Sequence, residues 1–177
     1  AAEKLGFIHI NTGAMYRGIT LKCIQAKINP TDMPEMDNIL YDTEFKFCGK
    51  DGADLFMDGV NISSEITTAE VTESVSRISA IPKVREKLVE YQREMADGID
   101  VVLEGRDIGT VVFPDADHKF FLIADIHERA KRRMQEMEAK GEIVSLSALT
   151  VELEERDRID STREHSPLKK AEDAVEI

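Results

Sequence analysis

The chain has 177 residues, of which 42% are hydrophobic and 33% charged, and its formal net charge at pH 7 is −12. This composition is typical of one globular domain, and no apolar run is long enough to cross a membrane. The negative charge argues against a nucleic-acid partner, because nucleic-acid-binding proteins usually carry a basic face. A small anionic ligand is compatible with the negative net charge if arginines concentrate in one cleft.

Two features indicate a cytoplasmic protein. The two cysteines, Cys23 and Cys48, have no spacing typical of a metal site or a disulfide framework. The N-terminus lacks the charged and then apolar layout of a signal peptide. We therefore expect reduced thiols and no exported or membrane-bound form.

In chain order, the first predicted element is a short strand at 7–10. Asn11 to Gly13 can end this strand and cap a helix at about 14–27. Residues 32–37, which include Pro34, are predicted as a polar connection. The sequence thus opens with a strand, a loop and a helix.

The middle of the chain changes character. Residues 44–48 and 54–58 flank the turn-forming residues 49–52 and predict a β-hairpin, and 60–62 predict a further short strand. Apolar residues at helical spacing follow, and Pro82 can begin a second helix. The apolar positions of these two helices are Val71, Val75 and Ile78, then Val84, Leu88 and Tyr91.

The last part returns to alternating strands and helices. Strands are predicted at 101–103 and 119–123, helices at about 126–139 and 147–163, and another apolar run begins at 174. Such alternation predicts an α/β fold with a parallel sheet, into which the hairpin and two helices are inserted.

The loops that follow the strands are the places to look for ligand contacts, since ligands of open parallel sheets bind beyond the carboxyl ends of the strands. Arg17 lies about one helical turn beyond the first strand, where it can reach an anion that the helix N-terminus also attracts. The local sequence leaves open whether Arg17 binds an anion or pairs with a surface carboxylate.

A second candidate is the helix face formed by Arg156, Asp160 and Arg163, whose spacings of four and three place them together. They can offer guanidinium groups to a phosphate and a carboxylate to a sugar hydroxyl. The alternative is an exposed ion pair of about 0.3–0.5 kcal/mol on a solvated helix face. No serine lies in a nucleophile-elbow pattern, and no residues have metal-ligand spacing.

Four segments carry a resemblance to a known family. Residues 11–17 (NTGAMYR), 81–85 (IPKVR) and 104–116 (EGRDIGTVVFPDA) resemble the signature segments of bacterial cytidylate kinases, and Arg156, Asp157, Asp160 and Arg163 resemble their lid helix. The order and spacing of these segments agree along nearly the whole chain.

The resemblance implies the P-loop fold of the nucleoside monophosphate kinases. This is an α/β fold with a five-stranded parallel core sheet, whose central first strand is missing from this chain, an α+β monophosphate-binding insertion and a helical lid. The implied division places the core at 1–38, 99–128 and 164–177. The CMP-binding insertion, a small antiparallel sheet plus two helices, spans 39–98, and the lid with its flanking helices spans 129–163.

The resemblance also implies an activity, the ATP-dependent phosphorylation of CMP or dCMP with Mg²⁺, by a monomer. The implied catalytic residues are Arg17, Arg106 and Arg163, which hold the phosphates, with Thr12 nearby. Ser76, Arg85 and Asp107 are expected to read cytosine, and Arg156 and Asp160 to contact the ribose. Arg129, Arg132 and Arg133 are expected on the ATP side of the lid, and no metal ligand is expected in this chain.

The sequence departs from the family pattern at three points. Asn11 and Thr67 stand where the family usually has an aspartate and an arginine. The third departure is that the 177 residues contain no G-x-x-x-x-G-K-[ST] phosphate loop. We expect that loop just before Ala1, and we expect the chain alone to be inactive. The alternatives are a kinase for another nucleoside monophosphate or small metabolite on the same fold, and a non-catalytic nucleotide-binding module.

Overall fold

The computed structural model describes residues 1–30, 32–48, 52, 54–139, 141 and 143–177. These residues form two compact units, Ala1–Ile108 (unit 1) and Gly109–Ile177 (unit 2). Across the described ranges, no helix combines the length and the apolar character that a membrane span needs. The finer division into core, insertion and lid stays a prediction.

Unit 1 is built on two parallel strands with helices and a small separate sheet. Its elements are α1 (Ala2–Leu5), β1 (Ile8–Asn11), α2 (Thr12–Ala26), α3 (Met33–Tyr41), β2 (Phe45–Cys48), β3 (Asp54–Met57), β4 (Val60–Asn61), a 3₁₀ turn (Glu65–Thr67), α4 (Ala69–Ser79), α5 (Pro82–Ala96) and β5 (Val101–Glu104). Strands β1 and β5 pair in parallel with Asn11 opposite Glu104. The carboxyl ends of both strands therefore lie side by side.

The predicted hairpin is confirmed. Strand β3 pairs antiparallel with β2 on one side and with β4 on the other, with Phe45 opposite Met57. Of the predicted turn, residues 49–51 lie outside the described residues, whereas Gly52 has φ +69°, in the left-handed region that glycine tolerates. The three strands form the small antiparallel sheet that the sequence indicated.

Helix α2 begins where the sequence predicted a cap. The side chain of Asn11 accepts a hydrogen bond of 3.0 Å from the backbone N–H of Ala14. An N-cap side chain satisfies one of the amide groups that the first helical turn leaves unpaired. The strand, loop and helix predicted at the start of the chain are thus confirmed.

The polar connection predicted at 32–37 is wrong, because a helix begins there. Asp32 caps α3 by accepting a hydrogen bond from the N–H of Glu35, and Pro34 lies in the first turn, where proline needs no N–H partner. Met36 and Leu40 are buried on the inner face. Asp32, Pro34 and Asp37 hid the apolar spacing of Met36 and Leu40.

The core of unit 1 lies among α2, α3, α4, α5 and the antiparallel sheet. Ile19, Met36, Leu55 and Leu88 are among its fully buried side chains, and the predicted apolar positions of α4 and α5 join them apart from Tyr91, which is half-buried. Pro82 begins α5, as predicted. Burial of this cluster fixes α2 against α4, and these two helices carry several of the predicted site residues.

Unit 2 contains two capped helices and one pair of short parallel strands. After a π-helical turn (Ile108–Val112), the elements are β6 (Phe120–Phe121), α6 (Ile126–Glu138), α7 (Leu146–Thr162) and β7 (Val175–Glu176). Strand β6 pairs in parallel with β7. Parallel strand pairs with intervening helices confirm the predicted α/β class.

Candidate active site

The loops that follow β1 and β5 are joined by a buried hydrogen bond. The hydroxyl of Thr12, which is fully buried, donates to the carbonyl oxygen of Glu104 over 2.8 Å. At the next residue, Gly105, an added Cβ would lie 2.3 Å from Thr12 Oγ1, closer than any carbon contact allows. Glycine is therefore required where the two strand ends approach each other.

A buried ion pair lies beside this junction. Nη2 of Arg85, on α5, donates to Oδ2 of Asp107 over 2.5 Å, and both side chains are 4% exposed. Nη1 of Arg85 also donates to the carbonyl oxygen of Ser79, and its guanidinium carbon lies 5.1 Å from the centre of the Tyr16 ring. The structure thus brings together two of the three residues predicted to read cytosine.

The burial of this pair favours a binding role over a purely structural one. Removing two charges from water costs nearly as much as their attraction returns, so a buried ion pair contributes little net stability. Nε of Arg85 is also buried without a hydrogen-bond partner among the described residues. A polar group left in this condition costs about 1–3 kcal/mol, and such groups concentrate at ligand sites.

The third predicted base contact, Ser76, lies half-buried on α4. Its carbonyl oxygen accepts a hydrogen bond from the hydroxyl of Ser79 over 3.1 Å, and Ser79 in turn supplies the carbonyl that binds Arg85. Ser76 and Arg85 are therefore linked through one residue at the end of α4.

The two predicted phosphate-binding arginines of unit 1 follow the ends of the parallel strands. Arg17, half-buried on α2, donates from Nη1 to the carbonyl oxygen of Ile66 over 3.0 Å and to the hydroxyl of Thr72 over 2.9 Å. Arg106 is half-buried between Gly105 and Asp107, directly beyond β5. Both residues follow the carboxyl ends of the parallel strands, beyond which ligands of this fold class bind.

In unit 2, Arg163 lies at the end of α7 and not within it. The helix ends at Thr162, and Arg163 is its extended C-cap residue. Its Nη1 still donates to Oδ1 of Asp160 over 3.3 Å, its Nε donates to the carbonyl oxygen of Ser166 over 2.6 Å, and both members of the ion pair are 7% exposed. The Asp160–Arg163 pair is therefore buried and not exposed to solvent. Arg156, four residues before Asp160, is half-buried.

The remaining arginines of unit 2 divide into one interhelical pair and several surface groups. Arg129 on α6 makes a two-pronged ion pair with Asp157 on α7, and this hydrogen bonding holds the pKa of Arg129 above its usual value. Arg132 is exposed, and Arg133 pairs weakly with Glu136 one turn along the same helix. Of the three predicted ATP-side arginines, Arg129 is thus the one anchored between helices.

The sequence did not predict three residues that contact the arginines of the candidate site. The ring of Tyr16 stacks beneath Arg85, the hydroxyl of Thr72 binds Arg17, and the carbonyl oxygen of Ser166 binds Arg163. Tyr16 lies inside a signature segment, so its position was a usable signal. Thr72 had no local signal, and Ser166 acts through its backbone, which is in the left-handed region at φ +50°.

Comparison with known proteins identifies the family of this chain. The family model described as cytidylate kinase matches residues 1–177. The chain is similar to the cytidylate kinase of Cytophaga hutchinsonii (45% identity, over 99% of this chain and 76% of that protein) and to that of Desulforamulus reducens (47% identity, over 99% and 79%). The cytidylate kinase of Lactobacillus johnsonii is 45% identical over 99% of this chain and 77% of its own length. The chain therefore belongs to the cytidylate kinase family.

Proposed function

We propose that unit 1 carries the acceptor site of an ATP-dependent kinase that phosphorylates CMP and dCMP. The observation that carries this proposal is the buried Arg85–Asp107 pair beside the ends of the parallel strands, with the Tyr16 ring beneath it. Family membership supplies the reaction class, and the relatives bear the name cytidylate kinase.

Cytosine offers an exocyclic N4–H₂ donor beside its N3 and O2 acceptors. Asp107 supplies an acceptor for N4, since a carboxylate has about four lone-pair sites and can accept from Arg85 and from a base together. Arg85 supplies donors for N3 or O2, including the buried Nε that has no partner among the described residues. Ser76 supplies a second acceptor for N4. Uracil would place an acceptor, O4, against Asp107.

The phosphate of the acceptor is assigned to Arg17 and Arg106, with Thr12 nearby. These residues follow the carboxyl ends of β1 and β5, and guanidinium groups bind phosphate oxygens through paired hydrogen bonds. In unit 2 we assign Arg163 to the phosphates, Arg156 and Asp160 to the ribose, and the Arg129 group to ATP. The buried Asp160–Arg163 pair supports a fixed orientation of this arginine.

The chemistry requires no protein nucleophile. In phosphoryl transfer the acceptor phosphate attacks the γ-phosphorus in line with the leaving ADP, and the protein contributes positioning and charge stabilisation. The arginines of this chain align the acceptor and neutralise its charge. Mg²⁺ would supply positive charge that stabilises the phosphates during transfer. Among the described residues, no group of three His, Cys, Asp or Glu side chains lies together, so we assign no magnesium ligand here.

Binding measurements on this chain test the base-reading site. By calorimetry or NMR titration, CMP and dCMP should bind roughly tenfold to several hundredfold more tightly than UMP, because UMP leaves a buried polar group unpaired. Asp107→Asn should remove most of this preference, whereas Asp97→Asn, an exposed carboxylate at the end of α5, should leave it unchanged. Equal binding of UMP and CMP by the unsubstituted chain would contradict the assignment.

Phosphoryl transfer is tested separately with a version of the chain fused to a glycine-rich phosphate loop from a cytidylate kinase relative. A coupled ADP-release assay should show turnover with CMP and dCMP and little with UMP. Turnover with UMP as efficient as with CMP would favour a broader monophosphate kinase.

A further inference from the structure

The side chain of Thr72 lies where nothing in the sequence indicated a role. It is half-buried in the first turns of α4, and its hydroxyl accepts a hydrogen bond of 2.9 Å from Nη1 of Arg17. The same nitrogen donates to the carbonyl oxygen of Ile66 over 3.0 Å. One terminal nitrogen of the proposed phosphate-binding arginine is thus bound by two acceptors from different elements.

Two acceptors on one guanidinium nitrogen fix more than the position of the group. Because all N–H bonds of a guanidinium lie in one plane, two hydrogen bonds from separate points define the orientation of that plane. Two-pronged recognition of phosphate depends on this orientation.

The place of Thr72 on α4 adds a second consequence. Ser76 follows Thr72 by four residues and so lies on the same face of the helix. One rigid helix therefore carries both the group that orients Arg17 and a proposed contact to the base. About one turn of α4 therefore separates Thr72, which binds Arg17, from Ser76, the proposed base contact.

We infer that Thr72 is a positioning residue, which orients the Arg17 guanidinium toward the phosphate of the acceptor nucleotide. It also fixes the position of this guanidinium relative to α4, the helix that carries Ser76. This inference rests on the proposed function, since it takes Arg17 as a phosphate ligand. Thr72 acts through Arg17 and contacts no reacting atom.

The test compares CMP with cytidine, which lacks the phosphate, by NMR titration of the chain. Thr72→Val replaces the hydroxyl by a methyl group of similar size, and Thr72→Ser keeps the hydroxyl. Thr72→Val should weaken CMP binding about three- to tenfold, the range of one hydrogen bond, and leave cytidine binding unchanged. Thr72→Ser should bind CMP as the unsubstituted chain does. The matched control is Thr68→Val, whose exposed hydroxyl binds the carbonyl oxygen of Glu65.

A double substitution separates positioning from a general loss of structure. In an Arg17→Met background, Thr72→Val should weaken CMP binding no further, because the group that it orients is already gone. Circular dichroism checks folding, and Thr72→Ala provides a second variant should valine disturb the helix.

Two results overturn the inference. Equal weakening of CMP and cytidine, or no weakening of either, would show that Thr72 does not act on the phosphate, even though the chain binds CMP. Failure of the unsubstituted chain to bind CMP would overturn the proposed function and the inference together.

Discussion

The two units differ in how they bury their side chains. Unit 1 contains a continuous apolar cluster that runs through α2, α3, α4, α5 and the antiparallel sheet. In unit 2, among the residues that the structure describes, the fully buried apolar side chains are Val112, Ala130 and Leu149. A charged side chain in unit 1 can therefore be shielded from water by a larger apolar cluster than one in unit 2.

The arginine pairs follow this difference. The Arg85–Asp107 pair of unit 1 is 4% exposed, whereas the Arg158–Glu155 pair on α7 of unit 2 has both side chains more than half exposed. The distances are similar, 2.5 and 2.6 Å, so geometry alone does not separate them. When one partner of a buried pair is lost, the remaining charge stays buried without compensation. When one partner of an exposed pair is lost, water solvates the remaining charge.

The Asp160–Arg163 pair shows that the difference between the units is one of amount and not of kind. It lies in unit 2, yet both of its side chains are 7% exposed, and the backbone at Ser166 supplies a further acceptor. Unit 2 thus has a buried charge pair at the end of α7, the helix that also carries the exposed Arg158–Glu155 pair.

The largest effect should come from Arg85→Met. This substitution removes the Arg85 guanidinium from beside the buried Asp107 carboxylate and should destabilise the chain by about 3–5 kcal/mol. For a chain of this size we expect the melting temperature to fall by about 10 °C, measured by circular dichroism.

A double substitution separates the loss of charge pairing from the loss of packing. Arg85→Met with Asp107→Leu should recover much of the lost stability, because apolar replacements of a buried pair are often neutral. CMP binding should stay lost in this variant. A single Arg85→Met variant as stable as the unsubstituted chain would show that the pair is not buried as the structure places it.

Much of the secondary structure could be predicted from the sequence. The strand and helix pattern, the cap at Asn11 and the hairpin could be predicted because each depends on local spacing or turn chemistry. Helix α3 was missed because Asp32, Pro34 and Asp37 indicated a connection, although Pro34 lies in the first turn, where a helix accepts proline.

The site was predictable only as a set of residue types. Arg85 and Asp107 were both assigned to the base by resemblance, but their pairing with each other joins residues 22 positions apart and depends on how α5 packs. Spacing placed Arg156, Asp160 and Arg163 on one helix face but left open whether that face is exposed, because exposure is a property of the folded chain. The structure separates Arg163 from Arg158 by burial.

The second prediction uses these two arginines of the same segment as a matched pair. In the version carrying a fused phosphate loop, Arg163→Ala should lower kcat at least about tenfold, which is roughly 1.4 kcal/mol of transition-state stabilisation. Arg158→Ala should leave kcat unchanged, since its partner Glu155 lies one turn away on the surface. The coupled ADP-release assay measures both. Equal effects of the two substitutions would mean that burial does not distinguish a functional arginine here.

The smallest effect should come from breaking the Lys22–Asp58 ion pair of unit 1, which is not deeply buried. This pair tests whether the strength of an ion pair depends on its burial or on its location in unit 1. Burial raises the pKa of Asp58, but the hydrogen bonds from Lys22 (2.6 Å) and from the N–H of Glu44 (2.9 Å) outweigh it, so the pKa lies below the usual value. A carboxyl whose pKa is lowered by folding stabilises the protein above its unfolded pKa, about 3.9, and loses that contribution as pH falls through the folded value.

Asp58→Asn is a conservative test, because asparagine tolerates the left-handed conformation of this residue, φ +52°. At pH 7 it should cost about 1 kcal/mol or less, since the Asp58 side chain is 36% exposed and solvent screens the pair. The melting temperature should fall by about 2–4 °C at most. Melting curves between pH 7 and pH 3 should show this difference closing below about pH 4, where the carboxyl of the unsubstituted chain takes up its proton. Asp97→Asn removes an exposed carboxylate as a control. If Asp58→Asn instead cost as much as Arg85→Met, or if its cost stayed constant down to pH 3, location in unit 1 and not burial of the charge would govern the strength of these pairs.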